Sequence, residues 1–320
     1  MATRLQRNQA FLTNLYRRGP FAGHAFVLAS PPRPPIWEAG DYTTDGRPMR
    51  DWLPWVVEPY LKWLELSEQV QDDGVPTVGL ITGTHIYAQA FGCRVHTYED
   101  SNPAAMPLVR NAAEADALAE PEVFSCPNLV RIFELADLVR QELGADAILG
   151  PPDMQTGFDT ACLIWDKTDL FCAMHENPEA VKRLAGKCAR LLRNFIREFY
   201  REFPTAALAH CPQTWSPPEL GPWVSNDECG MMSVAMFEEF LLPELIERLA
   251  DQRGNRCRVD DGCRADAAAQ ALHHDGCDDV YAVTVDQAFL AARWSLLLVI
   301  HHQGADGGTA KVFYLTHIDD

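Results

Sequence analysis

Apolar residues recur at helical spacing over several stretches of the chain. In 50–71, Trp52, Trp55, Val56, Tyr60, Trp63 and Leu64 share one face and predict a long amphipathic helix. Pro54 and Pro59 suit its first turns or a break. The aromatic stripe reads as core packing before it reads as a cofactor surface, because aromatic side chains dominate buried area. In 128–143, Leu129, Ile132, Phe133, Leu135, Ala136, Leu138 and Val139 predict a second helix, closed by Gly144 as C-cap. Asn177, as N-cap, and Pro178, at the first helical position, open a third that runs to Phe203. Shorter helices are predicted over 5–17, 85–91, 156–165 and 168–175, and over 233–252 with Ser233 as N-cap.

Between these helices lie short β-rich runs: 77–81 (TVGLI), 147–150 and 206–210. Strands alternating with helices imply βαβ units and a parallel sheet. The absence of GxGxxG and GxxxxGK[ST] patterns removes the usual support for a nucleotide-binding doubly wound fold. The expected fold is therefore α/β, with a parallel-stranded barrel over 75–320 as the better fit. A helical extension and a linker with four prolines in 31–35 form a segment, 1–74, packed on it. Residues 278–285, 296–302 and 311–318 are read as the last inner strands. The stretch 253–320 is short for three ordinary βα units and is expected to be atypical.

The chain has 320 residues, 47% hydrophobic and 22% charged, enough to bury a core without disulfides or metals. Its formal charge of −18, from 45 acids against 27 Lys and Arg, argues against nucleic acid as a partner, since phosphate binding needs a basic face. Ten irregularly spaced cysteines with no CxxC pair read as reduced thiols, mostly buried as small hydrophobes. Residues 1–18 are polar and basic with no apolar core, unlike a signal peptide, and the run 296–300 is too short to cross a bilayer. The expected location is the cytoplasm, with a small-molecule substrate, no membrane partner, and a homodimer left open.

A barrel places its chemistry at the C-terminal ends of its strands. That rule selects 82–85, 151–155 and 210–215. His85 is a candidate general acid or base, its unperturbed pKa lying near neutrality, or else a helix-start residue beside a tight turn. His210 opens a stretch rich in Pro and Trp that suits a pocket wall, with Glu219 and Asp227 as candidate partners or ordinary surface carboxylates. Asp153 would orient a substrate or a His, or cap the helix at Thr156. Thr82, Thr84, Tyr87, Gln155, Trp215 and Trp223 complete the candidate substrate-binding set, with Tyr87 equally readable as packing.

Three stretches resemble a known family. Gln89-Ala90-Phe91-Gly92 followed by Asn102-Pro103 and Pro107-Leu108-Val109, the run from Gly157-Phe158-Asp159-Thr160-Ala161 to Leu184, and the FEEFLLPEL run over 237–245 occur in the order found in the uroporphyrinogen decarboxylase superfamily. That superfamily also holds zinc-dependent corrinoid-protein:thiol methyltransferases. The resemblance implies a (β/α)8 TIM-type barrel with an active site at its mouth. The departures steer the activity. Where the decarboxylases carry substrate-binding arginines this chain reads Ile36-Trp37-Glu38-Ala39-Gly40-Asp41-Tyr42, and Gly83 falls at the aspartate that organises the pyrrole nitrogens. The methyltransferase branch holds zinc through a His-x-Cys pair and a later Cys. Here Asn255 precedes Cys257, leaving Cys211, Cys257 and Cys263 as candidate ligands, with His273, His274 and Cys277 nearby in sequence. The reading favours a methyltransferase-like, diverged paralogue, transferring methyl between a corrinoid protein or other donor and a thiol. A cofactor-free decarboxylase of porphyrin biosynthesis and a non-catalytic ligand-binding barrel stand as alternatives.

Overall fold

The computed structural model describes residues 2–16, 24–28, 38, 40–208, 215–218, 222, 224–245, 297–303 and 309–315. Helices dominate: α1 (Arg4–Tyr16), α2 (Met49–Val70), α3 (Ile86–Ala90), α4 (Ala112–Ala117), α5 (Pro127–Leu143), α6 (Gly157–Ile164), α7 (Lys167–Glu176), α8 (Pro178–Glu202) and α9 (Val234–Phe240). α2 buries Trp52, Val56, Tyr60, Trp63 and Ser67, a single face at steps of three and four. It runs through Pro54 and Pro59 without ending. Each interior proline costs about 3 kcal/mol. Burying four large apolar side chains returns roughly 1.5–3 kcal/mol each and outweighs that loss. The helix stops at Gln71, in the left-handed region with φ 58°, whose N–H closes onto the Ser67 carbonyl.

α5 ends as its pattern predicts, at Gly144 with φ 88°. α8 begins after Asn177, although the Asn177 side chain makes no capping bond, so the proline at the first position carries that start. α5 meets α8 through rings: Phe133 lies 5.6 Å from Phe195, 6.0 Å from Phe199 and 6.2 Å from Phe203. α6 is capped by the Thr156 hydroxyl, α7 by Asp166 and α9 by Ser233. These helices and α2 and α3 share one core, and four described cysteines (Cys93, Cys126, Cys162 and Cys188) are buried free thiols. α1 packs on a second cluster of Leu12, Ala25, Val75, Ile148 and Ala207. Asn8 Nδ2 donates to the carbonyls of Asp72 and Gly74, and Arg4 reaches Ser67 and Asp72, tying α1 to the turn after α2.

The expected pairing of 77–81 with 147–150 is present. β2 (Val78–Gly79) lies parallel to β5 (Leu149–Gly150), Val78 opposite Leu149 and Gly79 opposite Gly150. From the third run, Ala207 N–H donates to the Leu149 carbonyl at 2.8 Å, but 206–208 forms no strand, and 209–210 lies outside the described residues.

The TIM barrel itself is contradicted. Among the described residues the sheets are short and open, and no closed barrel forms. The runs are too short: Pro76 precedes the first, Pro151 and Pro152 end the second, and proline brings no donor to a ladder. β3 (Val95–His96) pairs with β4 (Ala104–Ala105) antiparallel. The C-terminal runs read as inner strands are β6 (Leu297–Gln303) and β7 (Thr309–Leu315), paired antiparallel, with β1 (Phe26–Leu28) antiparallel on the other side of β7. Five residues separate β6 from β7, whereas a parallel connection needs a dozen or more. The run 278–285 lies outside the described residues, as do the linker prolines 31–35 and the end of the helix predicted to 252.

α6 crosses α8 at Gly157, where a Cβ would lie 2.5 Å from the Ala185 carbonyl oxygen and 2.6 Å from the Ala189 nitrogen. Backbone cannot yield there as a flexible side chain would. We expect Gly157→Ala to destabilise the protein by about 1–3 kcal/mol. Gly186, inside α8 with only the Arg190 Nη1 at 3.5 Å, should instead gain up to about 1 kcal/mol as Gly186→Ala. Urea midpoints of the two variants against wild type measure both signs.

Candidate active site

Both loops that follow the parallel pair leave it at the same end. After β2 the chain turns through Thr82, Gly83 and Thr84 into α3, with His85 just before the helix. After β5 it passes Asp153 and Gln155 to the Thr156 cap of α6. Asp153 N–H donates to the Thr82 hydroxyl at 3.1 Å, joining the two loops. The structure thus brings Thr82, His85, Asp153 and Gln155 to one end of the sheet, as the strand-end rule expects.

His85 does not cap α3 with its side chain. The ring turns into the protein, fully buried, and its Nε2 lies 2.7 Å from Asp41 Oδ2. Asp41 Oδ1 accepts from Thr43 N–H at 2.9 Å and from the Thr43 hydroxyl at 2.7 Å. The Thr43 hydroxyl oxygen is also 3.4 Å from Nε2. The other ring nitrogen, Nδ1, is buried with no hydrogen-bond partner among the described residues. A Cβ at Gly83 would lie 2.6 Å from it, so any side chain there would press on the ring, and only glycine fits the turn beside Nδ1.

The segment carrying Asp41 is held from several directions. Tyr42 OH donates to the Leu80 carbonyl just past β2 at 3.0 Å, and Arg131 donates to the carbonyls of Tyr42 and Arg47. Gly40 sits at φ 89°, where a Cβ would meet the Arg47 guanidinium at 2.8 Å and Trp52 at 3.1 Å. Arg47 stacks 3.9 Å from the Trp52 ring centroid and pairs with Asp45. Arg47 and Arg131 are therefore engaged in building the segment. Burial pushes the Asp41 carboxyl up, but the hydrogen bond and charge of His85 and the bonds from Thr43 outweigh it and hold the pKa below the usual value.

A second polar group forms where 224–231 docks on this end. Gln155 pairs in parallel with Ser225 as an isolated bridge, and Ser225 N–H donates to the Met154 carbonyl. A 3₁₀ turn, Asp227–Met231, follows. The buried Asp159 carboxylate accepts from Asp227 N–H at 2.7 Å and Glu228 N–H at 3.1 Å. Burial pushes the Asp159 carboxyl well above the usual range; the two N–H groups oppose this and the Asp227 and Glu228 charges add to it. Lys167 pairs with Glu228 at 2.6 Å. Gln155 Nε2 donates to Asp227 Oδ2 at 3.2 Å.

The other sequence candidates fall elsewhere. Tyr87 is buried with its ring against Phe195, centroids 5.6 Å apart, and Thr84 is half-buried in the turn. Trp215 is half-buried and packs on the cluster beneath α1. His210, Cys211, Glu219, Trp223, Cys257, Cys263, His273, His274 and Cys277 lie outside the described residues. Among the described residues no group of three or more His, Cys, Asp or Glu side chains is placed to hold a metal ion, and no helix is long and apolar enough to cross a membrane. Asp41 stands out in the sequence only as a charge mismatch. Its Asx-type bond to Thr43, two residues on, is legible locally; its partner His85, 44 positions away, is not.

The family model described as uroporphyrinogen decarboxylase (URO-D) matches residues 29–260, more than half of the chain, and the chain belongs to that family. Among solved structures, a methyltransferase from Methanosarcina mazei matches with a TM-score of 0.50 at 14% identity, over 77% of this chain and 67% of that one. At that identity the likeness concerns the fold alone. No curated protein shows a significant match.

Asp41 supplies a pH test. A carboxyl whose folded pKa is depressed stabilises the protein above its unfolded value, near 3.8, and loses that contribution as pH falls through the folded value. Removing one partner of a buried pair costs about 3–5 kcal/mol. We expect Asp41→Asn to lower stability by that order at neutral pH. The gap to wild type should shrink below about pH 4 in urea titrations run across pH.

Proposed function

We propose that this family member transfers a methyl group to a thiol, with His85 as the proton acceptor. The observation that carries the reading is the buried Asp41–His85 pair, whose second ring nitrogen has no hydrogen-bond partner among the described residues, at the C-terminal end of the parallel strands. With its proton on Nε2, the nitrogen 2.7 Å from the Asp41 carboxylate, His85 has Nδ1 left as a base. The thiol S–H gives its proton to Nδ1. The sulfur then attacks the methyl carbon of the donor, for which the sequence suggests a corrinoid protein. The S–C bond forms as the donor's bond to that carbon breaks, its electron pair staying with the donor. The imidazolium is balanced by Asp41, itself held by Thr43. Since His85 is fully buried, the thiol reaches it only when the turn at Gly83 gives way.

The likeness in fold to a protein named as a methyltransferase agrees with this reading. So does the chemistry of the 40–47 segment. A decarboxylase acting on a polycarboxylate needs cations at its substrate, whereas Asp41 is anionic and Arg47 and Arg131 are tied to protein groups. A zinc ion, when bound, would supply the same thiol activation by lowering the thiol pKa, and Cys211, Cys257 and Cys263 remain its candidate ligands by sequence.

With methylcobalamin as donor and a small thiol as acceptor, wild type should form the methyl thioether. His85→Gln should lose about 10²–10⁴-fold in kcat/KM while keeping its circular dichroism spectrum. An unchanged rate in His85→Gln sinks the role of His85. Stoichiometric zinc in wild type that Cys257→Ala abolishes together with activity would replace it with metal activation. A separate expectation is that uroporphyrinogen yields no coproporphyrinogen; its formation would return the decarboxylase reading.

A further inference from the structure

We propose that the outer face of the β3–β4 hairpin pairs two copies of this chain. The two faces of the hairpin differ. Cys93 and Ala105 are buried and Val95 is half-buried, whereas Arg94, His96 and Met106 are exposed. Side chains alternate along a strand, so the register fixes the neighbours on the outer face. His96 lies opposite Ala104, and Met106 N–H donates to the Arg94 carbonyl at 2.7 Å. Tyr98 extends this face towards the tip, its ring 4.4 Å from that of His96. Leu108 extends it at the base, where it lies 3.8 Å from the place of a Cβ at Gly92. Tyr98, Met106 and Leu108 are 40%, 39% and 44% exposed. Single exposed apolar residues scattered over a surface need no explanation, but three grouped on one hairpin call for a cover.

The charges on the hairpin select a second copy as that cover. The cations stand towards the base, Arg110 and Arg94, and the acids at the tip, Glu99 and Asp100. Arg94, Glu99 and Asp100 have no ion pair among the described residues, and Arg110 reaches Asp166 only at 3.8 Å. A face that is positive at one end and negative at the other complements itself after a half-turn. A two-fold axis near His96 sets Arg94 of one copy against Glu99 and Asp100 of the other, and Met106 against Tyr98. A uniformly acidic partner would be repelled at the tip and a uniformly basic one at the base. Elsewhere the net charge of −18 drives two copies apart, so association needs a place where free cations stand. One hairpin makes a small contact, below about 1,200 Å² in total, and the dimer is therefore reversible. The Pro103 carbonyl oxygen lies 3.6 Å from the place of a Cβ at Gly83, so the pairing surface adjoins the turn beside His85. The pairing does not depend on the methyl-transfer reading.

Sedimentation equilibrium of the full chain at neutral pH tests this. The mass should rise with concentration from 35.8 kDa towards twice that value, with a dissociation constant on the order of micromolar. Arg94→Glu should weaken the dimer tenfold or more, and so should the double variant Glu99→Arg with Asp100→Arg. Leu108→Glu should do the same through the apolar contact. All four positions are exposed, and unchanged circular dichroism spectra and thermal melts show that the variants fold. The decisive measurement mixes the two charge-reversed proteins in equal amounts. Each alone meets like charge across the axis, whereas the mixed pair meets opposite charge at both ends, so a heterodimer should form where neither protein self-associates. Wild type that stays at 35.8 kDa up to about 100 μM overturns the proposal. A dimer that Arg94→Glu and Leu108→Glu leave unmoved overturns it too, by placing the contact on another surface. A mixture that fails to associate overturns the two-fold arrangement of the hairpins.

Discussion

Two residues of β2 beside two of β5 form the only parallel strand pairing among the described residues, yet the candidate site depends on it. Parallel strands leave a sheet in the same direction, so the loops that follow must share an end. That constraint puts Thr82 against Asp153 and brings Gln155 within reach of the turn at 227. A pair this short has little stability of its own. Helices and loops supply what it lacks: Tyr42, next to the buried Asp41, reaches the carbonyl just past β2, Asn128 of α5 holds the carbonyl of Ile86, and Ala207 donates to Leu149. The ladder is positioned by its surroundings instead of organising them, the reverse of a barrel.

The helices were legible because their signals are local. Trp52 to Trp63, Leu129 to Val139 and the Asn177-Pro178 start each lie within one element, and periodicity and caps report on neighbours three and four residues away. The strands were legible in place but not in length or partner. A five-residue apolar run does not say how many of its residues find a partner, and a sheet closes only if all of them do. The five-residue gap between β6 and β7 did contain the answer to their direction. On the site, His85, Asp153 and Gln155 follow from the strand-end rule. Asp41 does not, because its meaning comes from a contact across 44 positions, and no pattern along the chain records that.

Two carboxylates of the site have opposite fates for one reason. Asp41 and Asp159 are both buried, and burial alone favours the neutral acid in each. Asp41 faces an imidazole and a hydroxyl and is held as an anion. Asp159 faces two backbone N–H groups that belong to acidic residues, so the charges that arrive with its hydrogen bonds work against them. The surplus of acids in the composition, which argues against nucleic acid for the chain as a whole, thus has a local counterpart in the turn that closes beside Gln155.

The grip of α1 on the chain after α2 bears on the order of assembly. Arg4 and Asn8 reach Ser67, Asp72 and Gly74, some sixty positions downstream. A thirteen-residue helix is marginal in water by itself, and the carbonyls that Asn8 needs come together only once α2 has ended in its left-handed turn at Gln71. Residues made earlier must therefore wait for later ones, and α1 docks onto a surface that the chain has yet to synthesise when α1 itself is complete.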